Sequence, residues 1–367
     1  MEPNRIKLKS ITKSILSEWL FIILSITILM YFYYFLTWWS FSSYINSSVL
    51  GRYANSGYAF LEIGMQSIII GIIFCLVNLL LNKTKLGRKS FGYIILIKSV
   101  FYFLAALVSQ MFVSGIYLIF DVVPRESLKV LQSGISIPLM IGMCTYFIVI
   151  LFLINFILQI SRKFGQGILL SMITGKYHKP RIEQRLFMFL DMKDSTGNAE
   201  KMGHVQYSKL IQSCFHDLTD LITRYRANVY QYVGDEVVLT WPTEVGLKNM
   251  NCINLYFAYM QRLEDQRTYY EDKYGISPEF KAGLSEGKIT VTEVGDLKRE
   301  IAYHGEVLIT AARLEKMCNN LGQKLLITEI IASRLPRSSN FNLDLMGEFQ
   351  LRGKDIKEKV FGMTKIA

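Results

Sequence analysis

The chain has 367 residues, of which 51% are hydrophobic, with five cysteines and a formal net charge of +11. It is too long for one ordinary domain, and its apolar content suffices for two cores or for one core and a membrane. The lysines and arginines are neither striped along one helix nor interleaved with stacking aromatics, which argues against a nucleic-acid partner. Cys75, Cys144, Cys214, Cys252 and Cys318 lack CxxC or paired spacing, which argues against a zinc site or a disulfide framework.

The apolar run that starts at Trp19 continues through Trp39 with bulky aromatics and no small-residue cleavage site, so it is expected to be an anchor and not a cleaved leader. Four apolar stretches, about residues 19–38, 61–81, 93–120 and 137–160, each reach the roughly 20 residues needed to cross a bilayer. Residues 1–160 are therefore expected to form a four-helix transmembrane domain in the lipid bilayer of the cell (inner) membrane. Arg5, Lys7, Lys9 and Lys13 precede the first stretch, Lys83, Lys85, Arg88 and Lys89 separate the second from the third, and Arg162 and Lys163 follow the fourth. The excess of positive charge puts these segments, and both termini, in the cytoplasm.

Lys98 is expected to snorkel to the cytoplasmic interface, and Glu62 and Gln66 to lie at the outer one. There is no inverted repeat or broken-helix pair of the kind that marks a transporter. Residues 161–184, basic and helix-prone but broken by Gly175 and Pro180, read as a cytoplasmic linker suited to carry movement from the last membrane helix.

From Arg185 the pattern turns to short strands alternating with helices, and residues 185–367 are read as a soluble catalytic domain. Leu186–Leu190 is an apolar strand ending at Asp191, and residues 198–225 have helical spacing. Asn228–Val233 and Val237–Trp241 flank the turn Gly234-Asp235-Glu236, a hairpin that carries an acid at its tip. A helix over 247–274 and a strand over 280–285 follow. Asp191 and Asp235 can converge if their strands are neighbours, and two carboxylates brought together call for a cation, magnesium or manganese if phosphates are near. His178, His204, His216 and His304 are scattered without metal-ligand spacing.

The stretch Leu186-Phe187-Met188-Phe189-Leu190-Asp191-Met192-Lys193-Asp194-Ser195-Thr196, with Glu200 and Val233-Gly234-Asp235-Glu236, resembles the opening motifs of class III adenylate and guanylate cyclases. Phe280-Lys281-Ala282-Gly283-Leu284-Ser285 with Gly287 is similar to that family's central strand. Tyr303-His304-Gly305 through Ala311-Ala312-Arg313-Leu314-Glu315 is similar to its late helix, and Gly347-Glu348 with Leu351-Arg352-Gly353-Lys354 to its closing hairpin. The turn also resembles the GGDEF motif of diguanylate cyclases, but the Ala-Ala-Arg helix and the Leu-Arg-Gly-Lys ending belong to class III.

The resemblance implies an α/β catalytic domain of ferredoxin-like, βαββαβ type behind the membrane helices. It implies an adenylate cyclase that forms 3′,5′-cyclic AMP and pyrophosphate from ATP. Two Mg2+ (or Mn2+) would be held by Asp191, Asp235 and the Met192 carbonyl. Arg313, given to the site by the other protomer of a homodimer, would stabilise charge on the α-phosphate, and Arg352 would bind the terminal phosphates.

Three positions depart from the family pattern. Gln231 stands where adenylate cyclases usually have lysine and guanylate cyclases glutamate, and its amide suits either base. Ala302 replaces the usual Asp or Thr and makes no side-chain hydrogen bond. Ile309 replaces an asparagine that orients the ribose, with Thr310 beside it as a substitute if the local backbone shifts by one residue. The other readings are a cyclase for GTP or another nucleotide, and a catalytically weak or silent nucleotide-binding signalling domain.

Overall fold

The computed structural model describes residues 16, 19–36, 38–39, 57–82, 89–119, 137–164, 168–336, 340–350 and 357–366. Two compact units divide the chain, Met1–Phe164 and Gly165–Ala367.

The first unit holds α1 (Trp19–Leu36), α2 (Gly57–Asn82), α3 (Phe91–Ile119) and α4 (Ile137–Phe164), each long and apolar enough to cross a membrane. Their interiors are runs of Ile, Leu, Val and Phe, and the proline of α4, Pro138, sits in its first turn, where its missing N–H leaves nothing unpaired. All four helices feed one core, with Ile22 and Ile26 from α1, Ile70 and Phe74 from α2, Tyr102 and Ala106 from α3, and Ile150 and Ile154 from α4. The Phe74 and Tyr102 rings stack at 3.6 Å between centroids.

The interior also holds polar groups, while Leu24, Ile28, Leu104 and Val108 are exposed on the outside, where a water-soluble bundle would carry polar residues. Lys98 does not snorkel as expected. It is 2% exposed, and its Nζ donates to Asn78 Oδ1 at 2.8 Å, where Tyr102 also donates at 3.3 Å. Lys98 lies seven residues into α3 beside an acceptor on α2, so an internal bond satisfies its ammonium without the reach to an interface. Asn155 of α4 donates to the Ile95 carbonyl at 3.0 Å and to Ser99 at 3.2 Å. Gln66, expected at the interface, is buried as well.

The second unit opens with the short helix α5 (Ile168–Ile173), followed by β1 (Arg181–Met192), α6 (Ser195–Met202) and α7 (His204–Arg224). Next come β2 (Asn228–Val233), β3 (Glu236–Pro242), α8 (Thr243–Leu247), α9 (Asn251–Asp265), α10 (Arg267–Tyr274) and β4 (Phe280–Val294). The chain then forms β5 (Glu300–His304), α11 (Glu306–Asn320), β6 (Leu325–Thr328), α12 (Glu329–Arg334), β7 (Phe341–Phe349) and β8 (Glu358–Lys365). The strands lie in the order β2-β3-β1-β4-β6-β8-β7, and β5 pairs with β4. Among the described residues the β4–β6 pair alone is parallel. The run β1-α7-β2-β3-α9-β4 with strand order β2-β3-β1-β4 is the expected βαββαβ arrangement.

Alternation along β1 sends Leu186, Met188, Leu190 and Met192 into the main core and Phe187 to the opposite face. The main core is closed by α7, through Leu210, Cys214, Leu218 and Leu221, and by α9, through Leu255, Tyr256, Tyr259 and Leu263. These spacings of three and four residues set one apolar stripe on each helix. On the opposite face α11 lays Val307 and Ala311 against Phe187, Val238 and Ile289.

The boundaries differ from expectation in three places. The helix anticipated over 198–225 is two helices separated at Gly203, and the one over 247–274 is interrupted at Met250 and again at Gln266. The strand anticipated over 280–285 runs on to Val294, because β1 pairs with it along its full length, from Met192↔Phe280 to Arg181↔Val291. Gly287 and Lys288 lie in that ladder opposite Arg185 and Gln184, which holds them as strand.

Candidate active site

The two candidate acids lie on adjacent strands. β1 pairs with β3 up to Leu190↔Val237, which leaves Asp191 level with Glu236 and beside the hairpin tip. The β2–β3 ladder closes at Val233↔Glu236 around the two residues Gly234 and Asp235. Gly234 has φ +62° and Asp235 is not left-handed, the pattern of a turn that puts glycine first. The tight turn holds Asp235 at a fixed place near Asp191, close enough that its charge raises the Asp191 carboxyl.

Around the pair the structure gathers groups that were not singled out from the sequence. Lys281 lies opposite Asp191 in the β1–β4 ladder, so both side chains share a face. Its Nζ is 3.6 Å from Asp191 Oδ2 and 2.7 Å from Glu315 Oε1. Gly283 brings α11 to this spot, because any Cβ there would meet the Ala311 carbonyl oxygen at 2.2 Å and the Glu315 nitrogen at 2.3 Å. The helix backbone rests directly on β4, and Glu315 is buried beside Lys281. Glu236 and the Tyr207 hydroxyl complete the surroundings of Asp235. Lys281 and Glu315 stood inside recognised motifs, Lys281 on β4 and Glu315 on α11, but what joins them is the β1–β4 register and the docking of α11.

The electrostatics follow from this crowding. Burial, and then the charges of Glu315 and Asp235, push the Asp191 carboxyl up to about 6 against the opposing pull of Lys281. Burial and the Asp191 charge push Glu236 up to about 7. Burial pulls the Lys281 ammonium down, but Glu315 and Asp191 outweigh it and hold it above its ordinary value.

Asp235 Oδ2 is buried and accepts no hydrogen bond. An orphaned carboxylate oxygen beside a second carboxylate fits a divalent cation. Among the described residues no group of three or more His, Cys, Asp or Glu side chains forms a metal cage. Magnesium is held by one or two carboxylates, with substrate phosphates and water in the remaining positions, so the donor set still suits it. Met192, the third metal-site candidate, ends β1 with its side chain in the core, and only its backbone carbonyl is open to such a role.

The other candidates divide. Ile309 and Arg313, four apart on α11, share a face: Ile309 is 53% exposed and Arg313 half-buried. Two residues put Arg313 about 200° around the helix from Glu315, so it does not share the face that meets Asp191. Thr310 is 1% exposed on the inner side of α11 and does not share the exposed face of Ile309. Gln231 is exposed, and a register shift between Val229 and Gln231 pairs it with Val238, on the Phe187 face.

The Tyr303 ring of β5 lies 4.9 Å from that of Tyr230 and 5.4 Å from that of Phe187, so the sheet curls to bring β5 over β1 and β2. Ala302 alternates with Tyr303 and faces away from this cluster, so the structure does not bring it to the side of Gln231. Arg352 lies outside the described residues; β7 and β8, which flank it, pair antiparallel.

Comparison with known proteins adds the following. The adenylate and guanylate cyclase catalytic domain matches residues 177–364. Adenylate cyclase 2 of Rhizobium meliloti (strain 1021) is 32% identical over 211 residues, which are 58% of this chain and 58% of that protein. This chain thus spans less than two thirds of that relative's length. Among solved structures, a bacterial light-regulated adenylyl cyclase superposes with a TM-score of 0.49 at 20% identity, covering 57% of this chain and 62% of that one. The adenylyl cyclase CyaB from P. aeruginosa gives 0.46 at 15% identity, covering 51% of this chain and 96% of that one.

Proposed function

Because this chain belongs to the adenylate and guanylate cyclase family, we propose that it is a membrane-bound adenylate cyclase that forms 3′,5′-cyclic AMP and pyrophosphate from ATP at a homodimer interface. The observation that carries this reading is the convergence of Asp191 with Asp235, whose buried Oδ2 lacks a partner.

Asp191, Asp235 and the Met192 carbonyl would hold two divalent cations, Mg2+ or Mn2+, which when bound supply Lewis-acid activation of the ribose 3′ hydroxyl and neutralise charge on the polyphosphate. The Gly234-Asp235 turn keeps one carboxylate in place, and the β1–β4 ladder keeps the other. In the reaction the 3′ oxygen forms a bond to the α-phosphorus as the bond from that phosphorus to the β-phosphate oxygen breaks. Arg313 would stabilise the charge that develops on the α-phosphate, a task suited to a planar, always charged guanidinium. Since Arg313 lies well around α11 from the face that meets its own Asp191, a second protomer would supply it, which supports the homodimer. Arg352 would bind the terminal phosphates. Gln231, exposed at the edge strand β2, would read the base, while Ile309 would line the nucleotide site without a side-chain hydrogen bond; Ala302, turned away from Gln231, is given no contact with the base.

The exposed apolar side chains of α1–α4, together with Lys98, Asn78 and Asn155 held inside, support placing these helices in the cell membrane, with residues 1–160 as the anchor, 161–184 as the linker and both termini in the cytoplasm. A second reading, a cyclase for GTP, is favoured by Gln231 alone, whose amide pairs with guanine when turned over.

The test is cyclic nucleotide production by detergent-solubilised full-length protein with Mg2+ or Mn2+ and each of ATP, GTP, CTP and UTP. Cyclic AMP from ATP that disappears in Asp235→Ala is the expected result. Cyclic GMP alone selects the second reading, and no product from a folded dimer overturns both.

A further inference from the structure

Lys281 has no duty in the mechanism above, yet it sits at the centre of the acidic cluster. Its side chain is 12% exposed, between Asp191 at 23% and Glu315 at 2%. The three groups come from three elements, Asp191 from β1, Lys281 from β4 and Glu315 from α11. None can drift far. Asp191 and Lys281 are cross-strand partners, and Gly283 seats the α11 backbone on β4 beside Glu315. The ammonium is closer to Glu315, at 2.7 Å, than to Asp191, at 3.6 Å. One cation thus serves two acids unequally, and the acid it holds less tightly is the candidate metal ligand.

We propose that Lys281 is a positioning residue that stands in for the metal: its ammonium holds the Asp191 carboxylate in place in the metal-free site and withdraws onto Glu315 when a divalent cation takes Asp191. Without Lys281, Asp191, Asp235, Glu236 and Glu315 would face one another with only Lys316, which acts on Glu236, to oppose their charge, and the strand ends would repel. Were Lys281 fixed to Asp191 alone, it would exclude the metal by like-charge repulsion and by occupying a ligand oxygen. Glu315 resolves the conflict, since it gives the ammonium a buried place to rest at a separation that a lysine stem spans by changing one or two rotamers. This inference rests on the metal site of the proposed function.

The test measures Mn2+ affinity of the full-length protein in detergent, without nucleotide, by electron paramagnetic resonance of free Mn2+. Wild type, Lys281→Met, Glu315→Gln, the double variant and Lys281→Arg are compared. Lys281→Met is expected to bind Mn2+ roughly tenfold more tightly, because a competing cation has gone. Glu315→Gln is expected to bind more weakly, because the freed ammonium stays on Asp191.

The decisive quantity is the coupling between the two changes. Removing Lys281 is expected to raise affinity more in the Glu315→Gln background than in wild type, and Lys281→Arg is expected to restore wild-type affinity. An equal gain in both backgrounds, or no gain, overturns the proposal and leaves Lys281 as a strut under α11. Lys281→Gln takes the place of the methionine variant if that one does not fold. Asp191→Asn and Asp235→Asn separate the two readings: if neither weakens Mn2+ binding the metal site falls, and the proposal with it. Weakening there without a Lys281 effect overturns the proposal alone.

Discussion

Gln231 reaches the open face of the sheet because β2 slips register between Val229 and Gln231; regular alternation would turn its side chain into the main core beside Val229. A side chain aimed by a bulge and otherwise exposed is free to be exchanged. Gln231→Lys is expected to raise the preference for ATP over GTP roughly tenfold, as one well-placed hydrogen bond to a base edge allows. The check is the ratio of kcat/KM values, and an unchanged ratio would take Gln231 out of the base site. Ile309, on the exposed face of α11, is 53% exposed and lies outside the buried core, so its exchange costs little packing. Ile309→Asn is expected to raise kcat roughly tenfold or more if the position faces the ribose, with Tm unchanged. The residues that carry the acid pair were legible in the sequence because apolar strands ended at Asp191 and around Asp235. Lys281 and Glu315 were not, since their meaning lies in a cross-strand register and a helix docking that no local pattern encodes.

At the level of elements, the contact of α11 with β4 is the tightest constraint on the site. Gly283→Ala would drive a methyl into the Ala311 carbonyl and the Glu315 amide. It is expected to destabilise the catalytic unit by about 1–3 kcal/mol and to lower its Tm, read by thermal unfolding. In the first unit Asn78 of α2 holds Lys98 of α3. Asn78→Ala is expected to lower thermal stability in detergent by about 1–3 kcal/mol, the penalty for a buried donor that loses an acceptor, and Asn78→Asp is expected to restore most of it. The four apolar helices were legible because composition alone decides them. The interior place of Lys98 was not, because snorkelling and internal bonding share one sequence and only the neighbouring helix distinguishes them. The extent of β4 was hidden for a related reason: only the register with β1 carries the strand past Ser285.

For the whole molecule, the decisive feature is that α11 turns Glu315 inward to its own Asp191 and carries Arg313 on another face. In the proposed homodimer each site draws its metal acids from one protomer and its arginine from the other. Asp235→Ala and Arg313→Ala chains, each inactive alone, are then expected to recover roughly a quarter of wild-type activity when assembled together, since half the dimers carry one intact site of two. The measurement is cyclic AMP formed by the co-expressed, co-purified pair, and no recovery would argue for sites built within single chains. The same feature makes inheritance asymmetric. A chain bearing both substitutions spoils each site it shares, so a second gene copy with the double change acts as a dominant poison, whereas two copies with one change each complement.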